Sequence, residues 1–350
     1  MRVRALGTVN RWIDIQWPLP DEISTRAWEK AEAIKCHHYL LVSHPVLNLR
    51  DWPLFSVPGK CLVEFRGPPP SGGAPVTQVM EIRMPYELGP IGCGFDSRSR
   101  SWIVVAQGKL IVQAHSPGRL LARLFHLGVV DPGACGHLVA GKVEYVGKTH
   151  QSWTGRANRL SRYHHRLSKL GRHLTGLAEP RELSVILLGN PGLQLMACDG
   201  HPVPMAEVND YDELSERRGR EIIAHPHWVS AVEAALIRYF EPEWNRTFRY
   251  TFPSKRHSSY DWLTRIGLKG MHVELHRMHL TPLHSNRVGR RCIHAIGVHL
   301  REEDGFPVLG TKGYSYSDDQ LWATQCPEDR IGRTLIMGAS PEEDRMIIAE

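Results

Sequence analysis

Three groups of residues in this sequence have the types and spacing to act on a phosphate. The first is Tyr145-Val146-Gly147-Lys148, where a phenol and an ammonium stand three positions apart. The second is the basic run Arg156, Arg159, Arg162, Arg166, Lys169 and Arg172. Its spacings of three and four place most of the charge on one face of a helix, with Leu160, Tyr163, Leu167 and Leu170 as the buried stripe. The third is Glu233, in a run from His227 to Phe240 whose stripe is Val229, Val232, Leu236 and Tyr239. Glu233 falls about 100° from that stripe, and an ionised carboxylate on a half-buried face needs a cation or a hydrogen-bond partner. Hydrolysis of a phosphodiester calls for such groups: an activated water, counter-charge at the phosphorus centre and help for the leaving oxygen.

These residues have to be positioned by a small sheet and its helices. Residues 133–139, the turn Ala140-Gly141-Lys142 and the run from Val143 onward read as two strands of a β-hairpin. Glu182 to Leu188 reads as a third strand. Asn190 to Val208, rich in Gly and Pro, reads as an inserted loop, and Tyr211 to Ala224 as a charged helix. Pro242 ends the Glu233 helix.

Tyr145-Val146-Gly147-Lys148, then Arg159-Leu160-Ser161-Arg162-Tyr163, then Glu233 and Asn245 resemble, in that order, the core of the GIY-YIG nuclease family. The resemblance implies a divalent metal, Mg2+ (or Mn2+), held by Glu233. It also implies two tyrosines, one from each hairpin strand, that position or deprotonate the water. Tyr145 is the second of these, with Lys148 close behind the glycine. Arg159 would bind the scissile phosphate. Tyr163, one turn later, with His164 and His165 adjacent, would complete the site, and Asn245 would tie the helix end to the hairpin. Counting back from Tyr145 puts the first motif at Gly133-Ala134-Cys135, with Cys135 where the first tyrosine belongs. Cys135 itself, His137, or Tyr145 alone with metal-bound water would then take that role; a register with the first strand around Leu110-Ile111-Val112 is the alternative.

The flanks read as follows. Residues 1–128 form an N-terminal α+β module, a candidate for DNA recognition. It has a helix over Asp21–Ile34, strands at Cys61–Phe65, Val79–Met84, Trp102–Ala106 and Leu110–Ala114, and a helix capped by Ser116 and opened by Pro117. Residues 129–250 form the GIY-YIG-like core, a small antiparallel sheet flanked by helices, with an insertion at 190–225. Residues 251–350 are a C-terminal extension. From Arg246 to His257 basic residues alternate with aromatics, as backbone-plus-stacking contacts to nucleic acid require; Arg246, Arg249, Lys255 and Arg256 join Arg156, Arg162 and Arg166 as nucleic-acid contacts. The same alternation fits a half-buried strand with Phe248, Tyr250 and Phe252 inward. His272, His276, His279, His284, His294 and His299, with Cys292 nearby, read by default as scattered surface histidines, with a structural zinc site as the alternative.

Composition sets the outer limits. The 350 residues carry 43 Lys and Arg against 37 Asp and Glu, a net charge of +6, which suits a nucleic-acid partner. Seven scattered cysteines without a CxxC pair argue against a disulfide framework and for a reducing compartment. No run approaches eighteen apolar residues. The expected protein is a cytoplasmic, α+β, divalent-metal-dependent endonuclease acting on double-stranded DNA, of restriction or other defence type, with no membrane partner and a homodimer left open. The alternative is a catalytically silent nucleic-acid-binding protein on the same fold.

Overall fold

The computed structural model describes residues 3–9, 12–17, 36–50, 53, 55–68, 75–148, 165–189, 192–197, 221–222, 225–252, 257–266, 268–275, 282–291 and 294–299. In chain order its strands are β1 (Val3–Val9), β2 (Trp12–Trp17), β3 (His38–Pro45), β4 (Asn48–Leu49), β5 (Phe55–Val57), β6 (Lys60–Gly67), β7 (Val76–Arg83), β8 (Ile91–Asp96), β9 (Ser101–Ala106) and β10 (Lys109–Ala114). Helices α1 (Pro117–His126) and α2 (Pro132–Val139) follow, then β11 (Gly141–Lys148), α3 (His165–Thr175), β12 (Arg181–Leu188) and β13 (Gly192–Ala197). The chain continues through α4 (Pro226–Phe240), α5 (Ser258–Arg265), β14 (Leu268–Leu275), β15 (Leu283–His284) and β16 (His294–His299).

The fold is mixed α+β with several largely antiparallel sheets. The central sheet has the order β15-β11-β3-β12-β2. Every pairing in it is antiparallel except the short β15–β11 pair. Strand β3 is buried along its whole length, and its continuous apolar run Tyr39-Leu40-Leu41-Val42 is what a strand covered on both faces requires. Leu40 and Val42 pack with α4, while Tyr39 and Leu41 pack with Leu167, Leu170 and Leu174 of α3.

Helix α4 lies between the central sheet and a second sheet, β13-β1-β14-β16. It is apolar nearly all round, with Trp228, Val232, Leu236 and Phe240 fully buried, the composition of a helix with no solvent face. Its buried surroundings are what make Glu233, the one acid in its sequence, conspicuous.

Between β3 and β11 the chain builds a separate core from two small sheets, β4-β6-β5 with β7, and β10-β9-β8, closed by α1 and α2 around Phe65, Ile82, Ile91, Leu120 and Leu124. The expected cap is present: the Ser116 hydroxyl accepts from the Arg119 amide at 3.3 Å, with Pro117 in the first turn.

Several expectations need correction. Residues 133–139 are not a strand: Asp131 caps a helix there, accepting from the Gly133 amide at 3.1 Å, and Pro132 opens it. Asp131-Pro132 outweighed the hairpin signal of Ala140-Gly141-Lys142. Cys135 is thus a buried residue of α2, packed in the core of the inserted module, and Leu110-Ile111-Val112 lies in β10 of that module. Neither pairs with β11. The loop expected over residues 190–208 contains strand β13, which pairs with β1 from Val3 to Thr8. Residues 243–251 are turns and bends rather than a strand. Phe248 has φ +67 and Tyr250 is 70% exposed, while Phe252 is buried. The central sheet also takes strands from both sides of residue 128, so the expected boundary there cuts through one sheet. The expected helix at residues 21–34 and most of that at 211–224 lie outside the described residues.

One of the expected surface histidines is a core residue. His294 is 1% exposed, its Nδ1 lies 3.0 Å from the Tyr239 hydroxyl, and burial pushes its pKa down to about 3. Burial and the nearby Arg290, Arg181 and Lys142 likewise push His284 down to about 4. Both groups ordinarily titrate near 6.5, so between that pH and their folded values the unfolded chain binds protons that the folded chain refuses. The stability from these two neutral imidazoles is complete above about pH 6.5 and is lost as pH falls. Thermal unfolding followed by circular dichroism should show the midpoint dropping from pH 7.5 to pH 5, and His294→Gln should flatten that drop.

Candidate active site

Strand β11 carries most of the chemistry, and a one-residue irregularity decides where it points. Val143 is opposite Val42 and Tyr145 is opposite Leu41, so Glu144 is an extra residue, a β-bulge. Beyond the bulge the alternation is reversed. Val143 and Val146 both face α4, and Tyr145 turns to the α3 side, where Tyr39 lies. The two rings are 6.0 Å apart between centroids and tilted by 43°. Tyr39 is directly opposite Gly147. A Cβ at residue 147 would fall well inside van der Waals contact with the Tyr39 ring and its hydroxyl. The glycine of Tyr-Val-Gly-Lys is therefore the seat of the second tyrosine ring.

At the end of β11, on the α4 side, the Lys148 ammonium lies 3.0 Å from Glu233 Oε2 and donates to the Ser230 hydroxyl at 2.6 Å. The ion pair is largely buried: the Glu233 side chain is 12% exposed and that of Lys148 25%. A buried carboxylate needs such a partner. The end of α4 nearest this pair is fixed to the sheet by His38, whose Nε2 lies 2.8 Å from the Val229 carbonyl, and His38 is opposite Lys148 across the strands. His257 lies close enough that Lys148 and His227 both add to the effect of burial in lowering its pKa. The imidazole is gripped between Phe248 and Phe252, with ring centroids at 4.6 and 5.9 Å.

Asn245 holds the open edge of β11. Beyond Lys142 no strand among the described residues covers that edge, because β15 pairs only with Gly141 and Lys142. The chain after α4 takes its place. The Trp244 amide donates to the Glu144 carbonyl at 3.3 Å. The Asn245 side chain accepts from the Val146 amide at 2.8 Å and donates to the Val146 carbonyl at 2.9 Å. One side-chain amide thus does the work of a strand neighbour and satisfies two buried backbone groups.

Of the residues expected at the site, Tyr145, Lys148, Glu233 and Asn245 are brought to the same end of the central sheet. The tyrosines lie on one face and the Lys148–Glu233 pair over the other. Arg156, Arg159, Arg162, Tyr163 and His164 lie outside the described residues, as do Lys255, Arg256 and the side chain of Arg166; the basic helix is described from His165, with Lys169 and Arg172 exposed. Arg246 is exposed, and the Arg249 guanidinium lies 5.2 Å from the centre of the Tyr250 ring. Sequence reasoning passed over Tyr39. Its signal, an uninterrupted β-type run from Tyr39 to Val42, was present, but 145 − 39 = 106 positions separate it from Tyr145. It also passed over Ser230 and His257, which only the helix geometry brings to Lys148.

Two substitutions measure how tightly this end is built. Gly147→Ala should cost roughly 1–3 kcal/mol by overpacking against Tyr39, and a second change, Tyr39→Ala, should relieve part of that clash in urea unfolding. Asn245→Ala leaves the Val146 amide and carbonyl unpaired, at about 1–3 kcal/mol for each buried group. No family model, curated protein or solved structure matches the chain.

Proposed function

We propose that the chain is a divalent-metal-dependent DNA endonuclease of the GIY-YIG type, with Tyr39 as its first tyrosine. The observation that carries this reading is the antiparallel pairing that seats Tyr39 on Gly147 beside Tyr145. The resemblance implies a tyrosine from each of two paired strands, and it was Cys135 that failed to supply one. The Lys148–Glu233 pair and the grip of Asn245 on Val146 support it further.

The residues present fit a hydrated Mg2+ rather than an all-protein cage. Mg2+ keeps several waters and is commonly bound through one or two carboxylates together with substrate phosphate. Among the described residues no group of three or more His, Cys, Asp and Glu side chains could hold a metal, and Glu233 offers one carboxylate. Bound there, the metal would supply counter-charge to the phosphorus centre and lower the pKa of a water. Lys148 fixes the carboxylate, and with three N–H donors, of which Glu233 and Ser230 engage two, it can offer the third to a phosphate oxygen. Tyr39 and Tyr145 would orient the attacking water, as the resemblance implies, and Arg159 would bind the scissile phosphate.

Two observations favour the catalytically silent alternative: Lys148 already neutralises Glu233, and Tyr39 and Tyr145 are buried on the face of the sheet opposite that pair. The two readings separate in a single assay. Purified protein should nick supercoiled plasmid DNA in the presence of Mg2+, and Glu233→Gln should abolish nicking while leaving DNA binding largely intact, since the lost charge acts mainly in the transition state. Tyr39→Phe should lose most of the activity, and Cys135→Ser should retain it. Wild-type protein that nicks no faster than Glu233→Gln would leave only the silent reading. Equal rates for Tyr39→Phe and wild type would remove Tyr39 from the mechanism.

A further inference from the structure

The segment after β15 forms a closed basic turn at the end of β11 opposite the candidate site. Leu283 and Arg291 exchange both backbone hydrogen bonds, at 2.9 and 3.0 Å. Inside the turn, the Ser285 hydroxyl accepts from the Arg287 and Val288 amides. Two side chains fasten the turn to the segment that follows α4: Asn286 to Glu243, and Arg287 to Glu241. At the same place Lys142 is divided between Glu144 at 3.6 Å and Glu243 at 3.2 Å.

Three acids beside β11 and the turn are therefore engaged. Glu241 meets Arg238 and Arg287, Glu243 meets Lys142 and Asn286, and Glu144 meets Ser43 and Lys142. The cations are not used up. Arg246 and Arg290 are exposed and make no ion pair among the described residues. The segment from Glu243 to Arg246 runs alongside β11. Glu243 is at Lys142, Trp244 at Glu144 and Asn245 at Val146, so Arg246 comes at the Lys148 end while Arg290 marks the other.

We infer that this edge is a track for the backbone of duplex DNA, with Arg246 near the cleaved bond and the Leu283–Arg291 turn as the distal anchor through Arg290. The inference rests on the endonuclease reading and adds a surface and a length to it. Because of the bulge, the seven residues from Lys142 to Lys148 lie opposite the six from Ser43 to His38, five steps that span roughly 17 Å at 3.2–3.4 Å each, the rise of about five base pairs of duplex at 3.4 Å per step. An edge whose acids Glu144, Glu241 and Glu243 are paired while Arg246 and Arg290 are not suits a polyanion, and the closed turn holds Arg290 ready without further ordering.

The test is fluorescence anisotropy with duplexes whose arms on either side of the cleaved bond are shortened one at a time, read over a series of KCl concentrations. For a duplex with long arms, Arg290→Ala should reduce the slope of log affinity against log salt by about 0.9, one phosphate contact. Between 50 and 200 mM KCl the affinity lost should then be about threefold smaller than for wild type. When the arm on the Arg290 side is cut to about three base pairs, shorter than the span set by the strand rise, wild type and Arg290→Ala should bind alike. Arg98→Ala, an equal loss of charge at the exposed β8–β9 turn, should keep the wild-type slope. An unchanged slope for Arg290→Ala, or an equal change for Arg98→Ala, overturns the track while the endonuclease reading stands. Wild-type protein that binds no duplex at all overturns both.

Discussion

Strand β3 buries all eight of its residues, and three of them are polar. That constraint fixes much of the surrounding structure. A buried polar group costs stability unless it is hydrogen-bonded, and the three are satisfied by different elements. His38 reaches the Val229 carbonyl of α4. Ser43 donates to Glu144 at the bulge of β11, at 2.7 Å. His44 meets the Ser184 hydroxyl of β12 and the Val139 carbonyl at the end of α2. Helix, both neighbouring strands and the inserted module are thus referred to one strand, and a slip of one residue would orphan all three groups while turning Tyr39 away from Tyr145.

The bulge at Glu144 connects that framework to the chemistry. Its carboxylate is drawn inward by Ser43 and Lys142, and the extra residue is what turns Tyr145 onto the face where Tyr39 stands. Two features that look unrelated in the sequence, a buried acid and a tyrosine beside it, are one device. At the far end of the same strand Lys148 faces α4. Eight residues thereby serve both faces and both ends of the sheet.

What could be read from the sequence follows the range of the forces involved. The Ser116 cap, the strands at Cys61–Phe65 and Trp102–Ala106, and the helix bearing Glu233 were legible because each is specified within a few residues. Asn245 was legible only through the family resemblance. Residues 132–139 were misread because the turn at Ala140-Gly141-Lys142 suggested a hairpin, while Asp131-Pro132 is the local helix-start signal that wins. Tyr39 was illegible for another reason: its relation to Gly147 is a cross-strand contact made after the chain has departed into a module with its own core. Strand β13, hidden in a Gly- and Pro-rich stretch, owes its existence to an edge offered by residues 3–9, and no local pattern announces it.

The inserted module between β3 and β11 has a consequence for biosynthesis. A ribosome delivers Tyr39 early, then the whole module, then β11, and only much later α4 and Asn245. Contacts of such long sequence separation form slowly, because loop closure precedes the interactions that reward it, and domains tend to fold as units in the order in which they emerge. The module can close around Phe65 and Leu120 while β3 still lacks both neighbours. Until residue 245 has left the ribosome, Glu233 and Lys148 cannot be locked together against the sheet. A nascent or truncated chain that stops short of residue 245 therefore lacks the assembled contacts of Lys148, Glu233 and Asn245.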